Sequence, residues 1–210
     1  MNLLLLAIII VVLLIILGAF KSDKRKASIE DQKFWLFYAG PENYLDENGV
    51  RTLQGEVFWS CEPETRKDEL ILLYRKSIDQ LSVNTLTRRF KMTKEVAQDI
   101  KKGGVGKDIS ALWQAVSNSK RRFFWGWPYG CYVKEIQKLS PPIKLNELRS
   151  IPELRRWKSL RWNFQAKGHS ALEIPPFAWE SLVKIIKMKC GVEINHSGSS
   201  HSGKSKFPNH

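Results

Sequence analysis

The stretch Glu69-Leu70-Ile71-Leu72-Leu73-Tyr74-Arg75-Lys76 decides the fold class. A strand with one solvated face alternates apolar and polar residues, whereas this run places five apolar residues in succession. Such a short continuous run is typical of a strand that is covered on both faces. Four further segments of the chain also predict strands: residues 33–38, 56–61, 109–117 and 131–139.

Helix signals lie between and after these strands. Ser77 with Gln80, and Thr93 ahead of Val96, resemble helix starts within residues 77–107, and Gly103-Gly104 ends the second helix. After a break at Pro141-Pro142, Ser150 with Pro152 and Glu153 resembles a capping box. A last helix starts at Pro175-Pro176 and has Trp179, Leu182, Val183 and Ile186 on one face. The expected class is α+β: a small, mixed but mostly antiparallel β-barrel with flanking helices.

Composition favours a polyanionic partner. The chain of 210 residues has 34 Lys plus Arg against 21 Asp plus Glu, a net charge of +13. Such a balance fits nucleic acid or anionic lipid. The three cysteines have no CxxC spacing, and the histidines of the tail have no ligand spacing, so we expect no disulfide, no metal and no cofactor.

The amino-terminal residues predict a membrane anchor. Residues 3–20 carry no charge, and 18 helical residues span about 27 Å of a hydrocarbon core roughly 30 Å thick. A cleaved signal peptide, the alternative, requires a basic start and small residues at the cut. Lys21, Lys24, Arg25 and Lys26 place the following domain in the cytoplasm and the amino terminus outside. We therefore expect a transmembrane helix (1–20), a basic linker (21–31), one domain (32–190) and a disordered tail (191–210).

The segment with the most aromatic residues is Phe123-Phe124-Trp125-Gly126-Trp127-Pro128-Tyr129-Gly130-Cys131-Tyr132. Its glycines and proline indicate a bent loop that leads into a strand. Lys120, Arg121 and Arg122 precede it, and rings beside cations suit an unpaired base and its phosphates. The same rings also suit the core of a small barrel, so both interpretations stay open.

Several segments resemble EVE domains, members of the PUA-like superfamily that are related to YTH domains. Phe34 to Tyr44 is similar to the opening strand and loop of that family. Asp68 to Arg75 is similar to its hydrophobic strand ending in Tyr, although Lys67 replaces the usual glycine. The closest match is Pro142 through Trp179, including Arg161-Trp162-Asn163-Phe164-Gln165. The resemblance covers roughly residues 33–188.

The resemblance implies a binding domain that reads a modified base in DNA or RNA and does not catalyse a reaction. Carried onto this sequence, the aromatic cage is Trp35, Trp59, Trp125 and Trp127, and Asn43 and Ser60 bond the base edge. Arg161, Asn163 and Gln165 line the pocket if that segment is extended, or they tie strands to helices. Lys120, Arg121 and Arg122 are candidate phosphate contacts, whereas Trp113, Trp157 and Trp179 are expected in the core.

Two other functions compete with this one. An enzyme is not expected, because the chain has no GxSxG elbow and no P-loop, and no sequence feature supplies a base for Cys61 or Cys131. The second is a membrane-tethered adaptor whose basic surface binds lipid or a protein partner that the sequence does not identify.

Overall fold

A computed structural model describes residues 32–51, 53–122, 128–164 and 170–194. The chain divides into two units, Met1–Gln32 and Lys33–His210, and all described residues except Gln32 belong to the second. The predicted anchor and linker, residues 1–31, and residues 195–210 of the predicted tail lie outside the described residues. Within the described part, no helix has the length and apolar character needed to cross a bilayer.

Strands and helices follow one another along the second unit. The strands are β1 (Phe34–Ala39), β2 (Leu45–Asp46), β3 (Gly49–Val50), β4 (Glu56–Ser60), β5 (Leu70–Arg75), β6 (Asp108–Ala115), β7 (Lys120–Arg121), β8 (Tyr129–Lys144) and β9 (Ala171–Glu173). The helices are α1 (Pro41–Tyr44), α2 (Val83–Phe90), α3 (Lys94–Lys102), α4 (Leu145–Ser150), α5 (Lys158–Arg161) and α6 (Pro176–Cys190), with a 3₁₀ helix at Pro152–Arg156.

The main sheet confirms the α+β class and the mixed, mostly antiparallel pairing. Its strand order is β4-β8-β6-β5-β1-β9, with β7 beside β8, and β2 and β3 form a separate hairpin. Only β1 and β5 run parallel; the other pairs described in this sheet are antiparallel. Among the described residues β4 and β9 are the two edges, so the sheet is a half-barrel and does not close as the sequence had suggested.

β5 is buried on both faces, as its sequence predicts. Leu70, Leu72 and Tyr74 belong to the core formed with α4, the 3₁₀ helix, α5 and α6. Ile71 and Leu73 belong to the opposite core, which α2 and α3 cover. Apolar burial on both sides stabilises the sheet, at roughly 25 cal/mol per Å² removed from water. The three tryptophans expected in the core, Trp113, Trp157 and Trp179, are all buried there.

β8 continues through the prolines that were expected to break the chain. Lys138 pairs with Ala111 and Ile143 pairs with Ile109, so four residues of β8 lie opposite one residue of β6. Pro141 and Pro142 fall within this irregularity, where the missing proline N–H removes no bond of the ladder. The strand therefore tolerates both prolines and ends at Lys144.

The helix caps show which local signals were correct. Thr93 caps α3 by accepting a hydrogen bond from Val96 N–H at 3.3 Å, and Gly103 follows its last residue, as predicted. The α2 cap is Ser82, because the Ser77 hydroxyl instead accepts from Asp79 N–H in a turn. Ser150 forms no capping box: its hydroxyl donates to the Glu147 carbonyl.

A buried ion cluster joins three strands. Arg75 Nε and Nη2 donate to Oδ1 and Oδ2 of Asp108 at 2.7 and 2.9 Å. Lys144 Nζ donates to Asp108 Oδ2 at 3.0 Å, and Asp108 is fully buried. Because β5, β6 and β8 each supply one member, the cluster fixes their register.

Candidate functional site

A pocket of about 550 Å³ opens beside the edge strand β4. It forms where the turn after β1, the strand β4 and the end of β5 meet. Its lining consists of residues 40–43 and 57–60 together with Tyr38, Arg51, Leu53, Lys76, Arg122 and Ser170. The volume lies within the range of roughly 300–1,000 Å³ that is usual for small-molecule sites.

Trp59 supplies an aromatic wall of this pocket. Its ring is half-buried and meets Trp113 edge to face, with 5.1 Å between the centroids and 86° between the planes. Trp113 is fully buried, so Trp59 is braced from the interior. Because β4 ends the sheet among the described strands, no neighbouring strand covers this indole from the outer edge. The arrangement suits a flat ligand held against a fixed ring.

Three cations surround the pocket. Arg51 Nε donates to the Asn43 carbonyl at 2.9 Å, Lys76 Nζ lies 5.6 Å from the centroid of the Tyr38 ring, and the Arg122 guanidinium carbon lies 4.9 Å from that of Phe58. Among the described residues none of the three forms an ion pair. Cations with no carboxylate partner are suited to an anionic ligand.

The pocket also has uncommitted polar side chains. Asn43 is fixed by its backbone, since its N–H donates to the Gly40 carbonyl at 2.8 Å. Within the described part of the chain, neither the Asn43 amide nor the Ser60 hydroxyl forms a hydrogen bond. Burial raises the pKa of Tyr38 well above its ordinary range, so the phenol stays neutral beside Lys76. An amide that offers both donors and an acceptor matches the edge of a base.

The residue that precedes the densest part of the aromatic segment, Arg122, lines this pocket. Trp125 and Trp127 lie outside the described residues, so their predicted role stays a prediction. The residues on either side are described: Arg122 N–H donates to the Pro128 carbonyl at 2.6 Å. Arg122 itself lines the pocket. Lys120 and Arg121 precede it on β7 with exposed side chains, and their predicted phosphate contacts also stay predictions.

The structure corrects the prediction that Trp35 belongs to the aromatic cage of the pocket. Its side chain is 2% exposed, and its Nε1 donates to Glu69 Oε2 at 2.6 Å inside the protein. Both faces of β1 are covered, since Leu36 belongs to one core and Trp35 and Phe37 belong to the other. Trp35 is therefore a core residue that satisfies a buried carboxylate, and it does not line the pocket.

The polar trio near the end of the domain also lies elsewhere. Arg161 ends α5 and donates to the Arg155 carbonyl, and Asn163 Oδ1 accepts from Arg149 Nη2 at 2.7 Å. Asn163 has a φ of 53°, so this segment is a left-handed turn and not the extended strand that was expected. Arg149 also donates to the carbonyls of Leu160 and Arg161, which ties the end of α5 to α4. Gln165 lies outside the described residues.

The pocket residues that the sequence did not single out include Arg51, Phe58 and Lys76. Lys76 reaches the pocket because β1 and β5 are parallel, with Ala39 opposite Arg75, so that their carboxyl ends meet at one edge. Phe58 was assigned to a strand without a role, although its strand was correctly located. Arg51 and Lys76 are basic residues that directly follow a strand, and that cue acquires meaning only once the strand pairing is known.

Comparisons with known proteins give only distant likenesses. No family model and no curated protein matches the chain. A solved structure of Rpa0253 from Rhodopseudomonas palustris shares 12% identity over 80% of this chain and 99% of its own, with a TM-score of 0.47. The DUF55 domain of human thymocyte nuclear protein 1 shares 12% identity over 74% of this chain and 99% of its own, with a TM-score of 0.46. The structure of human THYN1 in complex with 5-methylcytosine-containing DNA shares 11% identity over 74% of this chain and 98% of its own, with a TM-score of 0.46. At these values the likenesses carry no argument about function.

Proposed function

We propose that this chain is a non-catalytic, PUA-like binding domain that recognises a modified base of DNA or RNA in the pocket beside β4. One observation carries the proposal. The braced ring of Trp59, Asn43 and Ser60 with their uncommitted side chains, and three cations without carboxylate partners all line one pocket of about 550 Å³. A base has a flat ring, a polar edge and an adjacent phosphate, which correspond to these three features.

The energetics of such binding are favourable for an extruded or unpaired base. Extruding a base from a duplex costs a few kcal/mol, and stacking on an aromatic ring returns about 1–3 kcal/mol. Contacts between cations and phosphates supply the remaining affinity, which weakens as salt is added. A methyl group on the base adds apolar surface, so discrimination would come from the fit against Trp59 and the bonds from Asn43.

Catalysis is not part of the proposal. Cys61 and Cys131 are both buried and neither lines the pocket. The interaction between the two thiols lowers the pKa of Cys61 and, together with burial, raises that of Cys131. Burial keeps both thiols from a ligand in this pocket, so we assign them to packing against the core.

A membrane location is the second part of the proposal and rests on the sequence alone. Residues 3–20 would anchor the chain as a single pass, with the domain in the cytoplasm. A fluorescent protein fused to the carboxyl terminus tests this location. We expect a signal confined to membranes, and a diffuse cytosolic signal would contradict the anchor.

The binding proposal is tested with the full chain purified in detergent. Its affinity is measured for single-stranded DNA and RNA that carry one modified cytosine or adenine, for the unmodified sequences, and for anionic vesicles. 5-Methylcytosine is a suitable first ligand, since a human structure contains DNA with that base. We expect tighter binding of one modified ligand and its loss in Trp59→Ala.

Three outcomes would contradict the binding proposal. Equal affinity for every oligonucleotide, unaffected by Trp59→Ala, would remove the pocket as a reader of bases. Preference for vesicles over all nucleic acids would favour the adaptor, which the net charge of +13 also permits. Turnover of an oligonucleotide would show an enzyme.

A further inference from the structure

The outer face of β4 and β8, next to the pocket, has two exposed aromatic rings. Phe58 and Tyr132 are opposite each other in the β4–β8 ladder and so lie on the same face of the sheet. They are 37% and 43% exposed, and their rings meet edge to face with centroids 5.1 Å apart. The solvated face of an antiparallel sheet normally carries polar side chains. Core packing therefore does not account for this pair.

The Phe58 ring is held in place by its neighbours. A β-carbon on Gly130 would lie 2.5 Å from Cζ of Phe58, so the absence of a side chain at Gly130 lets the ring pack against the strand backbone. The Arg122 guanidinium lies over the same ring, 4.9 Å from its centroid. Ring and guanidinium thus form a layered surface, with the Tyr132 ring beside it.

The charge of this face favours an anion. Lys120 is exposed and opposite Gly130 in the β7–β8 ladder, which places it on the same face. Lys134 is exposed there too, opposite Glu56. With Arg122, the described strand residues of this face include three cations and one acid, Glu56. A purely apolar partner would not be suited to such a rim, whereas bases stack on rings and guanidinium planes while their phosphates bind cations.

We propose that Phe58, Tyr132 and Arg122 form a stacking face that binds a second, unpaired base, adjacent to the base in the pocket. Phe58 and Arg122 also line that pocket, so the two sites are continuous. The inference rests on the proposed function and narrows its substrate class. A pocket with a stacking face beside it accepts a single-stranded segment of at least two nucleotides and excludes an intact duplex.

The test uses the full chain and two probes that need no modified base: (dT)8, and a G·C-rich DNA duplex of 12 base pairs that stays paired at the assay temperature. We expect (dT)8 to bind more tightly than the duplex. Tyr132→Ala should weaken (dT)8 binding by about 5- to 150-fold, the range for one stacked base, and Tyr132→Phe should retain it. Arg122→Gln should lower affinity and flatten its salt dependence. Met188→Ala, 81% exposed on α6, is the matched control and should change nothing.

The outcomes separate the stacking face from the pocket. If Tyr132→Ala binds (dT)8 as the wild type does while Trp59→Ala weakens it, the stacking face is wrong and the pocket stands. If Tyr132→Ala weakens binding but no modified base is preferred, the face stands and the modified-base proposal fails. Tighter binding of the duplex, or an effect of Tyr132→Ala on anionic vesicles only, overturns the inference.

Discussion

Two groups of cations in this molecule have different environments. Arg75 and Lys144 converge on the buried carboxylate of Asp108 at 2.7 to 3.0 Å. Arg51, Lys76 and Arg122 surround the pocket, where they lie against a carbonyl or an aromatic ring and, in the described part, form no ion pair. Glu42 also lines the pocket, but its carboxylate pairs with Arg89 at 3.7 Å. The two cations of the first group share the charge of one carboxylate within the fold, and the second group keeps its charge for another molecule. Net charge alone does not distinguish them; their partners do.

The largest expected effect is a loss of stability when the carboxylate that the first group shares is removed. Asp108→Asn leaves Arg75 buried without its charge partner, which should lower the free energy of unfolding by about 3–5 kcal/mol. Denaturant unfolding measures it. Asp79→Asn is the matched control, because Asp79 pairs with Lys107 at 2.5 Å in an exposed position. That substitution should cost less than about 1 kcal/mol. Equal costs for the two substitutions would break the comparison.

Substituting a cation of the second group should have a smaller effect, and that effect should be on oligonucleotide binding and not on stability. Arg122→Gln should reduce the slope of log affinity against log salt for an oligonucleotide by about 1, since one phosphate contact is lost. Binding is measured between low and physiological salt. Lys187→Gln, whose lysine pairs with Glu193 on the surface at 2.7 Å, serves as the control and should leave the slope unchanged. A lower free energy of unfolding for Arg122→Gln with an unchanged slope would assign Arg122 to the first group.

The smallest expected effect is on the pH dependence of stability, and it comes from Glu69, an acid with no cation in hydrogen-bond contact. Glu69 accepts from Trp35 Nε1 and Arg66 N–H, and burial raises the pKa of its carboxyl. The folded chain therefore binds a proton more readily than the unfolded chain. The Glu69 carboxyl therefore makes the fold less stable as pH rises from the ordinary pKa of glutamate through the raised pKa of Glu69. Glu69→Gln should flatten that decline in a series of unfolding curves between pH 4 and 7. An unchanged decline would show that other groups cause it.

Part of this structure was predictable because burial follows sequence pattern. Five apolar residues in succession at Leu70–Tyr74 specify a strand with two covered faces, and the helix starting at Pro175-Pro176 shows its buried face in its spacing. β9 contains three residues, Ala171–Glu173, which is too short for any pattern. The parallel pairing of β1 with β5, which brings Lys76 to the pocket, is a non-local property that no single segment encodes.

The tryptophans show the same limit within the site. Trp35 and Trp59 both lie in short aromatic strands, and the sequence treats them alike. On the inner strand β1, Trp35 is packed in a core and only 2% exposed, whereas on the edge strand β4 Trp59 is half-buried and lines the pocket. Strand position in the sheet, and not residue type, separates the core residue from the pocket residue.

The central claim is tested most directly by the ratio of affinities for a modified and an unmodified oligonucleotide of the same sequence. It is measured for the full chain, for Trp59→Ala and for Trp162→Ala, whose side chain is 70% exposed and outside the pocket lining. We predict a ratio well above 1 in the wild type and Trp162→Ala, and a ratio near 1 in Trp59→Ala. A ratio that survives Trp59→Ala, or that only Trp162→Ala removes, would contradict recognition in this pocket.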